Sequence, residues 1–167
     1  MQMRQFAAME CPVARSLDQI GERWRMLVLR DALHGIRRFD EFQASLGIAP
    51  NILADRLAGL VADGMLEKRQ YSERPPRFEY RPTDKARDLV PVLIALVAWG
   101  TRWLSPEGPT VELIDRWTGR PVDPVLVDAT TGGPLTASTV RIRPGPAAGP
   151  EIYARTAHIR SSRGRAQ

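Results

Sequence analysis

One stretch constrains the fold more than any other: RFDEFQASLGIAPNILADRLAGLVADGMLEKRQYSERPPRFEYRP, from Arg38 to Pro82. The inward spacing of Phe39, Phe42 and Leu46 predicts a short helix over Asp40–Leu46. Gly47 supplies a turn, and Ile48 plugs the core behind it. Pro50 suits the first position of a second helix because its missing N–H would lack an intrahelical partner there anyway. Leu53, Leu57, Leu60 and Val61 mark the inner face of that helix to about Asp63, and Gly64 stops it. Met65–Tyr71 and Phe78–Arg81 then read as two strands. The SERPPR segment between them is a turn-rich tip that cannot continue a helix.

Helix, turn, helix and basic hairpin, in that order, make a winged helix-turn-helix. Such a module places its second helix in the major groove of DNA and its hairpin alongside. The outward positions at the start of that helix are Ala49, Pro50, Asn51, Ala54, Asp55 and Arg56. Asn51 can pair with an adenine edge and Arg56 with guanine or a phosphate, while Ala54 permits close approach to a thymine methyl. Asp55 and Arg56 can equally form a solvated pair, or Asp55 can orient Arg56. Arg37 and Arg38 precede the first motif helix, where backbone N–H groups also favour a phosphate. Arg74 and Arg77 flank Pro75-Pro76 at the wing tip, within reach of phosphates or a minor groove.

Around this motif the chain is mainly helical. Cys11-Pro12 opens a helix through Val13, Leu17 and Ile20 that Gly21 ends. A second helix runs from Glu22 to His34 with Trp24, Leu27, Val28 and Ala32 inward. Thr83 caps a long helix from Asp84 to Leu104, with Pro91 either kinking it or lying in its first turns. That helix carries Leu89, Val90, Val92, Leu93, Ile94, Leu96, Val97, Trp99, Trp103 and Leu104, more apolar surface than one stripe needs. The second face points to a homodimer; the alternative is burial in one larger core.

After Ser105 the composition changes. Residues 105–110 read as a linker. Residues 111–146 read as a small three-stranded appendage from Val111–Trp117, Val122–Asp128 and Ala137–Arg143. Residues 147–167 read as a disordered basic tail, with Arg155, Arg160, Arg163 and Arg165 and no acid after Glu151. No internal repeat is apparent. The expected architecture is therefore mainly α with a small β component. A winged helix-turn-helix domain with a dimerisation helix (1–104) precedes the appendage.

The 167 residues carry a formal charge of +5 and a pI near 10.1. Arg supplies almost all of the basic residues, since only Lys68 and Lys85 are lysines. That bias suits phosphate and guanine recognition, and it also follows from a GC-rich genome. The single cysteine, Cys11, excludes an intrachain disulfide or a cysteine-based zinc site within one chain. The longest apolar run, Leu89–Gly100, is too short for a bilayer span. No signal-peptide pattern opens the chain, so the expectation is a cytoplasmic protein without a membrane partner. No phosphate loop, dinucleotide glycine pattern or nucleophile–base arrangement is present, and neither His34 nor His158 is placed as a base. The expectation is no enzyme, no cofactor and no metal.

These residues resemble the HxlR-type winged helix-turn-helix transcriptional regulators. The matching elements are CPV at Cys11–Val13, GERW at Gly21–Trp24, RF at Arg38–Phe39 and LGI at Leu46–Ile48. LADRLAGL at Leu53–Leu60, DGMLEKRQY at Asp63–Tyr71, RFEYRPT up to Thr83 and the helix bearing Trp99 complete the match over about residues 10–104. The resemblance implies a bacterial regulator of nearby genes, more often a repressor, dimeric through its first and last helices. It would read a near-palindromic double-stranded operator. The chain departs from the pattern at Glu22, Arg23, Ala86 and Ala49; a serine is usual where Ala49 stands, and its loss removes a cap worth about 1 kcal/mol.

The resemblance also implies that the appendage belongs to a subset whose members carry zinc-binding cysteines. Here Thr118, Asp128 and Thr131 take those places, so the expectation is a metal-free unit held by packing of Leu113, Trp117 and Val125–Val127. Many relatives respond to oxidants or electrophiles through a cysteine at the position of Cys11. A helix N-terminus and Arg15 one turn on would favour its thiolate; the alternative is an inert residue in an interface. Phe6, Met9, Trp24, Trp99 and Trp103 are candidates for an apolar cavity that takes a small aromatic effector near the dimer axis. A protein-interaction module that does not bind DNA is the remaining alternative.

Overall fold

The computed structural model describes residues 6–164. In chain order the elements are α1 (Pro12–Ile20), α2 (Arg25–Leu33), α3 (Phe39–Leu46) and α4 (Pro50–Ala62). Then follow β1 (Leu66–Glu73), β2 (Pro76–Pro82), α5 (Asp84–Arg87), α6 (Val90–Leu104) and α7 (Pro150–Gly164). The chain forms two compact units. Residues 27–135 make one; of the other described residues, 6–26 and 136–164 make the second.

In the 27–135 unit, the core is built on α4. Leu53, Leu57 and Leu60 are fully buried, as are Phe42 of α3 and Val28 and Leu29 of α2. Ile48, Met65 and Leu66 extend this core through the turn and into the wing. Each fully buried leucine contributes about 1.5–3 kcal/mol relative to exposure. The tight connection from α3 to α4 needs a left-handed residue, and Gly47 supplies it at φ 60°. Leu29 is a core residue that the sequence reading passed over, while Val61 and Leu46 are only half-buried.

A buried polar tie joins α2 to α3. Asp31 is 4% exposed. Its carboxylate accepts a hydrogen bond from Ser45 Oγ at 2.7 Å and one from Arg30 Nε at 2.8 Å.

The wing is an antiparallel pair in which Leu66 faces Pro82 and Lys68 faces Tyr80, with an irregularity between Gln70 and Ser72. It carries a short third edge. Arg38 bridges to Glu79, and the Tyr80 N–H donates to the Arg37 carbonyl at 2.8 Å. The hairpin is thereby stitched to the residues that open α3. At its other end, the Thr83 hydroxyl donates to the Gly64 carbonyl at 2.7 Å and accepts from Ala86 N–H at 3.4 Å. Lys85 Nζ donates to the Asp63 carbonyl at 2.8 Å, a cation where the α4 dipole favours one. The expected single helix from Asp84 to Leu104 is instead two pieces, with Pro91 in the first turn of α6.

Residues 105–135 depart from the sequence reading. The expected strands Val111–Trp117 and Val122–Asp128 are absent, as is Ala137–Arg143 after them, and in 105–135 only the isolated bridges Ile114 to Pro121 and Val127 to Pro134 occur. Prolines at 121, 124 and 134 cannot donate to a ladder. A repeat that the sequence reading did not find takes their place: Asp115-Arg-Trp-Thr-Gly-Arg-Pro121 and Asp128-Ala-Thr-Thr-Gly-Gly-Pro134. In the first copy the Asp115 carboxylate accepts from the N–H groups of Trp117 and Thr118 and from the Thr118 hydroxyl. In the second, Asp128 accepts from Thr130 N–H at 2.9 Å. In both, the glycine N–H returns to the aspartate carbonyl. Self-contained Asx turns, rather than apolar packing, therefore hold this region. The packing expected of Trp117 and Val125–Val127 is not formed, for Trp117 is 87% exposed and Val125 is 73% exposed.

The unit made from the chain ends contains α1 and α7. The expected disordered tail is a helix: Ile152 and Ile159 are half-buried and Thr156 is buried, at spacings of four and three residues along α7. Charge dominated the reading of this segment and hid that stripe. Arg165 lies outside the described residues. No described helix is long and apolar enough to cross a membrane.

Asp31→Ala removes a buried acceptor from two donors, and a stability loss of about 2–3 kcal/mol is expected by urea denaturation. A change below about 0.5 kcal/mol would mean that the tie contributes nothing.

Candidate nucleic-acid interface

The buried leucines of α4 set which residues that helix turns outward. Ala49, Pro50, Asn51, Ala54 and Asp55 are exposed on the N-terminal half, and Arg56 is half-buried. Ala49 is the N-cap and makes no side-chain cap bond, and Pro50 follows it. The first turn of an α-helix directs backbone N–H groups outward, so this end is suited to a phosphate. Arg56 is ion-paired with Asp55, whose side chain is 72% exposed. The pair ties the Arg56 guanidinium to Asp55 on the same helix.

The arginines before α3 do more than the sequence suggested. The Arg38 guanidinium lies over the Tyr71 ring of the wing at 4.9 Å, a cation–π contact. Glu41 Oε2 accepts from Arg38 N–H at 2.9 Å and from Arg37 N–H at 3.1 Å. Both residues thus serve as joints between α3 and the wing. On the wing, Arg69 pairs with Glu67 and Arg81 with Glu79, and Lys68 sits 4.2 Å over the Phe78 ring. Arg74 and Arg77 are exposed at the tip. Two exposed tip cations and the open face of α4 are brought together on one scaffold. Arg69 and Arg81, paired with carboxylates, were not among the candidates.

The aromatic candidates divide between the two units. Trp99 and Trp103 line a cleft of about 700 Å³ in the 27–135 unit, together with Val111, Leu113, Val122 and Val125. Phe6, Met9 and Trp24 belong to the other unit; Trp24 has Arg23 over its ring at 5.9 Å. Cys11 is buried at the start of α1 and accepts a hydrogen bond from Arg155 Nη1 at 3.0 Å. The Ala14 backbone N–H does most to hold this thiol below its ordinary pKa. The Val13 N–H and Arg155 add to the effect, and burial opposes it. From the sequence alone Arg155 is one arginine of a basic tail. Among the described residues no group of three or more His, Cys, Asp or Glu side chains is arranged to hold a metal.

A helix-turn-helix with a stitched wing defines the class. Comparison with known proteins then places the chain within it. A family profile described as HxlR-like helix-turn-helix matches residues 19–108. HTH-type transcriptional regulators of Mycobacterium bovis and Mycobacterium tuberculosis are each 41% identical over 135 residues, covering 80% of this chain and 85% of theirs. The crystal structure of PA1607, a candidate transcription factor, matches with a TM-score of 0.74 at 43% identity, over 82% of this chain and 96% of that one. Another, PA1374 from Pseudomonas aeruginosa, matches at 0.63 with 47% identity over 87% and 99%. The reduced form of the redox regulator HypR matches at 0.54 with 31% identity over 57% of this chain and 95% of that one. The chain belongs to the HxlR-like helix-turn-helix family, whose members are transcriptional regulators and not enzymes.

The N–H groups of Arg38 and then Arg37 hold the Glu41 carboxyl below its ordinary range. The folded pKa is below the unfolded one, so this cap contributes stability above the unfolded pKa of about 4.3. That contribution is lost as pH falls through the folded value. Glu41→Gln is therefore expected to lower Tm near pH 7, with the gap to wild type closing below about pH 4. A gap that stays constant from neutral to acid pH would contradict this role.

Proposed function

We propose that the protein is a dimeric repressor that reads a near-palindromic operator. The N-terminal half of α4 would enter the major groove, with the wing beside it. The observation that carries this reading is the outward face of α4 at Asn51, Ala54 and the Asp55–Arg56 pair, anchored from behind by three fully buried leucines. Asn51 would take an adenine edge and Arg56 a guanine edge or a phosphate. Ala49 and Pro50, at the helix start, would approach the backbone. Arg74 and Arg77 would bind phosphates or the adjacent minor groove, with Arg37 and Arg38 on the flanking backbone.

The dimer is supported by α6. Val92, Leu96, Trp99 and Trp103 are 44%, 47%, 56% and 68% exposed. Their spacings of four, three and four residues are those of a packing seam. Val13 and Leu17 on α1 also stand exposed, at 66% and 48%. A second copy supplies the same surfaces, as a two-fold interface requires.

Cys11 would be the switch, modified by an oxidant or an electrophile. A lowered thiol pKa at a helix N-terminus supports this, and so does similarity to a protein described as a redox regulator. A second reading, control by a small aromatic ligand, is favoured by one observation. The Trp99–Trp103 cleft of about 700 Å³ falls within the roughly 300–1,000 Å³ typical of ligand sites.

In gel shifts with the DNA upstream of neighbouring genes, Asn51→Ala is expected to cost about 1–3 kcal/mol at one base position. Arg74→Ala should weaken all sequences alike and reduce the salt slope by about one. Wild-type affinity for Asn51→Ala would remove α4 from the reading role. In light scattering, Leu96→Glu is expected to give a monomer that binds operator at least about tenfold more weakly; a Leu96→Glu dimer would contradict the α6 interface.

A further inference from the structure

The two ends of the chain hold each other by reciprocal contacts. α7 begins at Pro150, and Gly149 before it has no side-chain oxygen with which to cap the helix. The Glu10 carboxylate does so instead, accepting from the Ile152 N–H at 3.3 Å. A Cβ on Gly149 would collide with that carboxylate. In return, the Glu151 carboxylate accepts from the Glu10 N–H at 3.1 Å, immediately before α1. One turn along α7, Arg155 Nη1 donates to Cys11 Sγ at 3.0 Å, and Thr156 is buried behind it.

We propose that α7 is a latch over the start of α1, with Arg155 as the positioning residue that holds the Cys11 thiolate and lets go when the sulfur is modified. The proposal rests on the reading of Cys11 as the switch and adds the element that moves. It involves residues outside the 19–108 span of the family match.

The electrostatics favour a latch that depends on the thiolate. Two helix N-termini, each equivalent to about half a positive charge, are brought together here. Of the charged side chains near the two helix starts, Glu10 and Arg15 on the α1 side and Glu151 and Arg155 on α7, Arg155 is the one that touches the sulfur. Arg15 is turned to the Met9 carbonyl at 2.7 Å. The carboxylates are engaged with backbone N–H groups, and Arg155 donates to the sulfur, a contact that ionisation of the thiol strengthens. With an α,β-unsaturated carbonyl compound, the sulfur lone pair forms a bond to the β-carbon. The π pair moves to the carbonyl oxygen, and the resulting enolate takes a proton from water. The product is a neutral thioether. Arg155 then faces no anion, the added group occupies the space under α7, and the latch opens.

Cys11 is the one cysteine, so thiolate absorbance near 240 nm, taken as a difference from Cys11→Ser, reports this sulfur alone. As an equilibrium reading it does not depend on how reagents reach a buried thiol. Arg155→Gln is expected to raise the thiolate midpoint by about one pH unit, and Arg155→Lys to restore most of that shift. Equal midpoints in wild type and Arg155→Gln would overturn the positioning role. After modification of the full chain with N-ethylmaleimide, amides from Ile152 to Arg160 are expected to lose hydrogen-exchange protection. Unchanged protection would overturn the latch. A gel shift with the modified protein separates the two readings. Lost protection with unaltered operator affinity would keep the latch and sink Cys11 as the DNA switch.

Discussion

The burial of Leu53, Leu57 and Leu60 on one side of α4 is the constraint on which the rest of the molecule depends. A helix that commits one face to a core has no freedom in what its other face presents. Here that other face begins with Ala49, Pro50 and Asn51 and continues through Ala54 and the Asp55–Arg56 pair. The same core reaches Met65 and Leu66, so the wing begins where α4 ends. The helix α4 and the wing are therefore set by one packed core. The wing is not left to its own two strands, which alone would be marginal. The Arg37 and Arg38 backbone pairs with β2, and the Arg38 guanidinium lies on Tyr71.

This arrangement gives the basic residues different tasks. Arg69 and Arg81 answer carboxylates within the wing, and Arg38 braces it. Arg74 and Arg77 stand exposed at the tip. Net charge attracts a polyanion in general, and on this wing the arginines without a carboxylate partner among the described residues are those two at the tip. A salt-bridged Arg56 is less mobile than a solvated one, so less side-chain entropy remains to be lost on contact.

Much of this was legible in the sequence because it was local. Period and punctuation identified α3, α4, the wing and the Thr83 cap, and the outward face of α4 followed from its leucines. What failed to be legible was chiefly non-local or masked by composition. Asp31 reads as an ordinary polar residue until Ser45, fourteen positions away, is seen to bond it. Arg155 reads as one arginine of a tail until Cys11 is found beside it. The stripe of Ile152, Thr156 and Ile159 was obscured by the surrounding charge. In residues 105–135, β-favouring valines suggested strands, but prolines interrupt the ladders, and the repeated aspartate turns need no sheet. The Pro91 alternatives were resolved by the short break between α5 and α6.

The central claim is that two copies of the α4 face read one symmetric operator. Hydroxyl-radical footprinting of the wild-type protein on its operator tests this most directly. The account predicts two protected patches on one face of the duplex, centred about one helical turn (~34–36 Å) apart and related by a two-fold axis. A single protected patch, the size of one winged helix and without a symmetry mate, would contradict it.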